Sequence, residues 1–294
     1  MNIRELKIYL TVADQCHFGR ASQICSLSPS ALTRTIQRIE EQVGQPLLLR
    51  DNRSVQLSPA GVRFRGYARQ AVQEWEALQA DLKNDTAVIG SLSLYASLTA
   101  VYSLLPDLLE SYRKTYPQIQ LELRTGAAEQ AIEQLQNGDI DLAVAALPDR
   151  YRSHIEFQPI TTTPLVFIAP QSNMVNIFHT SGTIDLSRTP LVLPQTGLSR
   201  RRLNQWLKER KVTPHIASEV SGNEAIIPMV RLGIGIGVVP RLVLERSPFL
   251  SEVKIIEQAP DLGDYQVGLC THKRNLQRPA VDLFWNMARE RSEP

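Results

Sequence analysis

Cysteine is scarce in this chain. Three in 294 residues, Cys16, Cys25 and Cys270, cannot make a disulfide framework and suit a reducing compartment. The five histidines supply no metal site either: Cys16, His17 and Cys25 lack zinc-site spacing and a fourth ligand, and His154, His179, His215 and His272 are scattered. Neither a nucleophile elbow nor an H-E-x-x-H helix is present, which removes the common hydrolase signatures. No apolar run approaches the roughly 20 residues of a membrane-spanning helix. The opening Met1-Asn2-Ile3-Arg4-Glu5 has no secretory apolar segment, so a cytoplasmic protein with no membrane partner is expected. An excess of either charge is also lacking. The net charge is +2, with 43% hydrophobic and 21% charged residues, an ordinary globular composition.

That small net charge hides an asymmetry. Between residues 16 and 70 stand Arg20, Arg34, Arg38, Arg50, Arg53, Arg63, Arg65 and Arg69 against Glu40, Glu41 and Asp51, a local charge of +5 that leaves −3 for the remainder. All eight cations are arginine, the side chain best matched to phosphates and base edges. A basic N-terminal module on a mildly acidic body points to nucleic acid.

Local signals give that module a shape. Ile3 to Asp14 reads as a helix with Leu6, Leu10 and Ala13 inward. A second helix runs through Arg20, Ala21, Ile24 and Cys25, and Leu27-Ser28 is a tight turn. Ser28 is then an N-cap, Pro29 a first helical residue and Gly44 a stop. Leu32, Ile36, Ile39 and Val43 form one apolar stripe between them. Two helices so closely joined make a helix-turn-helix, whose second helix offers its N-terminal residues to base edges. The candidate DNA contacts are Arg20, Ser28, Pro29, Ser30, Thr33, Arg34, Gln37 and Arg38. The plainer alternative is capping and a solvated face. Apolar stretches at Leu47–Leu49 and Val55–Leu57 flank a turn carrying Arg50 and Arg53, which reads as a wing contacting phosphates or the minor groove.

Beyond Ser58-Pro59, Phe64, Ala68, Ala71, Trp75, Leu78 and Leu82 are spaced as an a/d seam, which predicts a dimerisation helix; packing of the seam onto the body of the same chain is the less favoured alternative. Asn84-Asp85-Thr86 is a polar hinge. From Gly90 the pattern becomes α/β: Leu92 and Leu94 in a strand, a helix over Leu104 to Tyr116, and alternation at Ile119, Leu121 and Leu123. A helix over Ala127 to Gln136 and an apolar strand over Leu142 to Leu147 complete a βαβαβ unit. Leu165 to Ala169 starts a second such set, Val267 and Leu269 lead back, and a last helix begins near Arg278. The expected division is 1–58 for the winged module, 59–88 for the linker helix and 89–294 for a two-lobed α/β domain. Its lobes cover about 89–163 with 268–294, and about 164–267, around a cleft suited to a small molecule.

The glycine run Gly233-Ile234-Gly235-Ile236-Gly237 has Val238 where a dinucleotide fingerprint needs glycine and ends at Pro240. It therefore predicts close packing, and no cofactor is expected. A solute-binding protein of the transport type would share the α/β portion but leave the arginine module without purpose.

The stretch "HFGRASQICSLSPSALTRTIQRIEEQVGQPLLLRDNRSVQLSPAG" resembles the winged helix-turn-helix of LysR-type transcriptional regulators nearly residue for residue. "LLPDLLESYRKTYPQIQLELRTG", "GDIDLAVA" and "GNEAIIPMVRLGIGIGVVP" resemble the effector-binding domain of that family, whose two lobes are like those of periplasmic binding proteins. Cys25 and Ser22 stand where leucine and alanine are common. Within the family, "HFGR", "SPS", "RDNR", "AVYSLLP", "RRRLNQW" and "LVLERSP" are similar to the IlvY-type branch. The resemblance implies an activator of acetohydroxy-acid isomeroreductase in branched-chain amino-acid synthesis, with acetolactate or acetohydroxybutyrate as inducer. A regulator of another pathway with a different small anion is the alternative. The implied partners are a double-stranded DNA operator, the small anionic effector, further copies of the chain as a dimer or a tetramer of paired dimers, and RNA polymerase.

The family's inducer contacts fall, by the same resemblance, on Ser97-Leu98-Thr99, on Thr125, near Thr196 to Arg200 and at Gly222-Asn223. The candidate effector residues are thus Ser97, Thr99, Thr125, Thr196, Arg200, Gly222 and Asn223, although single hydroxyls also serve as caps. Arg200-Arg201-Arg202 opens a helix, where each cation costs about 0.3–1 kcal/mol against the macrodipole and calls for an anionic partner. Consecutive helical residues lie about 100° apart, so one or two can face the cleft. Arg200 is the expected one.

Overall fold

The computed structural model describes residues 1–50, 54–82, 89–147, 154–180 and 182–292. Arg53 of the expected wing and the hinge at Asn84-Asp85-Thr86 lie outside them.

Helix α1 (Ile3–Gln15) begins on a capping box, in which Asn2 accepts from the Glu5 amide and Glu5 accepts from the Asn2 amide. Helix α2 (Phe18–Ile24) is capped by His17, and α3 (Pro29–Val43) starts on Ser28 and stops at Gly44, whose φ is 76°. Leu32, Ile36 and Ile39 are wholly buried against Leu6, Tyr9 and Val12, each removal from water stabilising by about 1.5–3 kcal/mol. Val43, the last helical residue, is 37% exposed and leaves the stripe one member short. Strands β1 (Leu48–Arg50) and β2 (Val55–Leu57) pair antiparallel as the wing's ladder.

Helix α4 (Pro59–Leu82) corrects the reading of its seam. Phe64, Ala68 and Ala71 pack into the core formed by α1 to α3 of their own chain, with Ala68 fully buried. Trp75, Leu78 and Leu82 alone are left open, at 43%, 48% and 74% exposure. The contact is close at Gly61, where a Cβ would come within 2.0 Å of the Leu47 carbonyl oxygen, and the Tyr9 hydroxyl donates to the Gly61 carbonyl at 2.8 Å.

The α/β portion then runs β3 (Gly90–Ala96), α5 (Leu98–Ser103), α6 (Pro106–Thr115), β4 (Ile119–Thr125), α7 (Ala131–Gln136), β5 (Leu142–Ala146) and β6 (Ile155–Pro170). It continues through β7 (His179–Thr180), β8 (Thr183–Ile184), β9 (Leu191–Pro194), α8 (Leu198–Arg210), β10 (Ile216–Val220), α9 (Ile226–Arg231) and β11 (Ile236–Pro240). Last come α10 (Arg241–Glu245), β12 (Val253–Ile255), β13 (Asp264–His272) and α11 (Pro279–Ser292). The helix expected over Leu104 to Tyr116 is α6, which Pro106 opens at its first position; the short α5 before it was not expected, and Pro106, with no amide to donate, keeps the two apart.

In the first lobe β3 lies parallel between β4 and β5, and β13 closes the sheet antiparallel to β5. Strand β6 serves both lobes. Its first part pairs with β13, and its last residues pair with β11 and β12. The second lobe buries Phe167, Leu193 and Leu203 on one face of its sheet and Ile168, Ile226 and Val230 on the other. The glycine run has the packing role expected of it: a Cβ on Gly237 would come within 2.4 Å of Ile226 in α9.

Candidate functional site

Two places gather the candidate residues. On the winged module, Arg20, Ser28, Pro29, Ser30, Arg34, Gln37 and Arg38 are exposed, and Thr33 is half-buried. Ser28 also does the capping, its Oγ accepting from the Ala31 amide at 3.2 Å. Among the described residues Arg34 reaches only the Ser30 carbonyl, at 3.4 Å. Arg38 pairs with Glu5 at 2.5 Å, which ties the start of α1 to the recognition helix. Arg50 is held from two sides, 3.3 Å from Glu40 and 4.6 Å over the Phe18 ring. Held this way, its guanidinium is fixed in one orientation. Two of the eight module arginines point elsewhere: Arg65 pairs with Asp139, and Arg69 lies 3.2 Å from Asp14 and 3.1 Å from the Gly138 carbonyl. These two join the linker helix to the α/β portion, so the local positive charge available to DNA is smaller than the composition implies.

The second place is a cavity of about 740 Å³ between the lobes. Ser97, Thr99, Thr196 and Asn223 of the expected effector residues line it. Ser97 caps α5, its Oγ accepting from the Ala100 amide at 3.3 Å. Thr99 is occupied from the other lobe: its Oγ1 donates to Glu224 Oε1 at 2.9 Å and its amide to the same oxygen at 3.3 Å. Ser199, which lines the cavity from the start of α8, donates to Asn223 Oδ1 at 3.5 Å.

The other three expectations need correction. Thr125 ends β4, the edge strand of its sheet, and is exposed away from the cavity. Gly222 is a buried turn residue at φ 80°, preceding the residues that reach the cleft. Arg200 points to the outer side of α8, 2.7 Å from Glu219 and 3.1 Å from the Pro194 carbonyl. Arg202 turns to the carbonyls of Leu262 and Asp264. Among the described residues it is Arg201 that brings a cation to the cavity wall. It stands beside the uncapped N-terminus of α8, whose amides add to the positive field.

Residues not anticipated complete the wall. Glu129 and Glu224 contribute two carboxylates, and Tyr265 a phenol. Burial holds the Tyr265 hydroxyl well above the usual phenol range, so it is neutral. Tyr95 is raised as well, by burial first and then by the charges of Glu129 and Glu224. The cleft thus presents one guanidinium, a row of hydroxyls and a helix N-terminus, with Glu224 set on Thr99 and Glu129 beside Gly197 at the start of α8.

Residues 3–62 match the model of the bacterial regulatory helix-turn-helix protein of the lysR family, and residues 86–293 match the LysR substrate-binding domain. The chain belongs to the LysR family. It is a DNA-binding transcriptional regulator, not an enzyme. The HTH-type transcriptional activator IlvY of Salmonella typhimurium is 36% identical over 296 residues, covering 98% of this chain and 99% of that one. The regulator IlvY of Escherichia coli is 35% identical, with 98% of each covered. A full-length OxyR variant from Pseudomonas aeruginosa shares the fold at a TM-score of 0.68 and 21% identity, covering 98% of this chain and 95% of that one. The winged module and the two-lobed domain of this LysR-family regulator are therefore its DNA-reading and small-effector parts. No helix among the described residues is long and apolar enough to cross a membrane.

Proposed function

We propose that this LysR-family regulator activates a gene of branched-chain amino-acid synthesis, that of acetohydroxy-acid isomeroreductase, in response to acetolactate or acetohydroxybutyrate. The observation that carries the reading is the likeness to IlvY activators over nearly the whole chain. The chemistry of the cleft suits it. A 2-hydroxy-3-oxo acid has one carboxylate for Arg201 and the α8 amides, and small polar groups for Ser97, Thr99, Thr196 and Asn223. Residues 1–58, 59–88 and 89–294 are the functional units. The open end of α4 pairs two copies, and paired dimers space their recognition helices on the operator, where an activator meets RNA polymerase.

Calorimetry of the full-length protein with acetolactate tests this reading, with saturable binding at one site per protomer expected. No heat at millimolar acetolactate would reject this effector and leave family membership untouched.

A further inference from the structure

The donors best placed to receive an acid in the cleft already hold one. Glu224, from the second lobe, sets one carboxylate oxygen on both the hydroxyl and the amide of Thr99 in the first, at 2.9 and 3.3 Å. Glu129 adds a second carboxylate, its Cβ 3.5 Å from where a side chain on Gly197 would stand. Against these the cavity wall brings Arg201. The buried phenol of Tyr265 is neutral and offers no charge of either sign.

A ligand carboxylate placed at Thr99 would lie about 4 Å from that of Glu224. Like charges at that range cost roughly a thousandfold in affinity at an effective dielectric constant of about 20. The acid end of a ligand is therefore directed to Arg201, the cation that the described residues bring to the cavity wall. The rest of the molecule meets carboxylate oxygens, which only accept hydrogen bonds.

We infer that Glu224 sets the effector class: a monocarboxylate that also carries an O–H or N–H donor, a hydroxy acid or an amino acid, with simple carboxylates and dicarboxylates rejected. This rests on the cleft being the effector site and goes beyond the choice of acetolactate, which is one member of the class. Glu224 acts here by holding Thr99 across the cleft and accepting the ligand's donor. It is not a competitor that the ligand must expel.

The test is calorimetry on the full-length protein with five probes: acetolactate, 2-hydroxyisovalerate, valine, isovalerate (which lacks the donor) and methylsuccinate (a dicarboxylate). At least one hydroxy or amino acid should bind tenfold or more tighter than isovalerate and methylsuccinate, the margin expected of a hydrogen bond to a charged acceptor. Glu224→Gln keeps an acceptor for Thr99 and removes the charge, so it should bring that ratio below about threefold. Isovalerate or methylsuccinate binding as tightly as every donor-bearing probe overturns the inference, and this arm stands even if the variant does not fold. An unchanged ratio in a folded Glu224→Gln also overturns it, as does tighter binding of all five probes, which would make Glu224 a competitor. Valine or 2-hydroxyisovalerate binding without acetolactate rejects the branched-chain precursor reading alone. Acetolactate binding no better than isovalerate and methylsuccinate, with no other probe preferred, rejects this inference alone.

Discussion

Arg69 of the linker helix lies 3.2 Å from Asp14 at the end of the first helix. Its other guanidinium nitrogen donates to the Gly138 carbonyl of the effector domain at 3.1 Å. One side chain thus touches the DNA-reading module and the first lobe, with Arg65 and Asp139 paired alongside. A ligand moves the DNA end only by favouring one arrangement of such contacts over another. Arg69→Ala should leave operator affinity and effector affinity each within about threefold while cutting the effect of one on the other, a coupling typically of about 1–3 kcal/mol. Titrating operator with and without saturating effector measures that coupling. Full coupling in the variant would show that the signal takes another route.

Arg34 is exposed at the N-terminal end of the recognition helix and held only weakly. Arg34→Ala should cost about 1–3 kcal/mol on the operator, the value of a bidentate base contact, and far less on random DNA. Arg50→Ala should instead weaken both equally and lower the salt slope by about one phosphate. Competition titrations at several salt concentrations separate the two patterns. A slope change from Arg34 with sequence preference intact would exchange their roles.

The two halves of α4 should respond differently to charge. Leu78→Glu falls on the open half, so monomers should appear in sedimentation with the melting temperature of each chain's own core nearly kept. Ala68→Glu places a carboxylate in the core against α1 to α3 and should destabilise the winged module by about 3 kcal/mol or more. A dimer unchanged by Leu78→Glu would move the interface elsewhere.

Arg201 and Arg200 are adjacent in sequence but differently placed, the first on the cavity wall and the second against Glu219 and the Pro194 carbonyl. Arg201→Ala should lower effector affinity by about 1.5–3 kcal/mol, the worth of a charge-assisted hydrogen bond. Arg200→Ala loses the Glu219 and Pro194 contacts on the outer side of α8 and should leave effector affinity within about twofold. Calorimetry on both variants distinguishes them.

These contrasts also mark what could be read without the structure. The bounds of α3 are legible because Ser28, Pro29 and Gly44 are local signals that act within one turn. The parallel sheet follows from apolar alternation at Leu92, Leu94 and the residues after them. The partner of the α4 seam is not legible, because i, i+3 and i, i+4 spacing states which face is apolar and not what covers it. Arg201 was within reach: Leu198, Leu203 and Leu207 are the buried apolar positions of α8, and their phase sets where each arginine points. Glu129 and Glu224 carry no local mark at all. Glu224 meets Thr99, 125 positions away, and Glu129 meets Gly197 from well back in the chain, only once the two lobes are folded together.

The central claim is that a small acid in the cleft changes how the recognition helices sit on DNA. Footprinting the wild-type protein upstream of the isomeroreductase gene, with and without saturating acetolactate, tests it most directly. The protected region should shift or change length with ligand while overall affinity stays within about tenfold, and Thr99→Val, which cannot donate its hydroxyl to Glu224, should give one footprint under both conditions. Identical wild-type footprints at ligand concentrations that saturate the cleft by calorimetry would contradict the account.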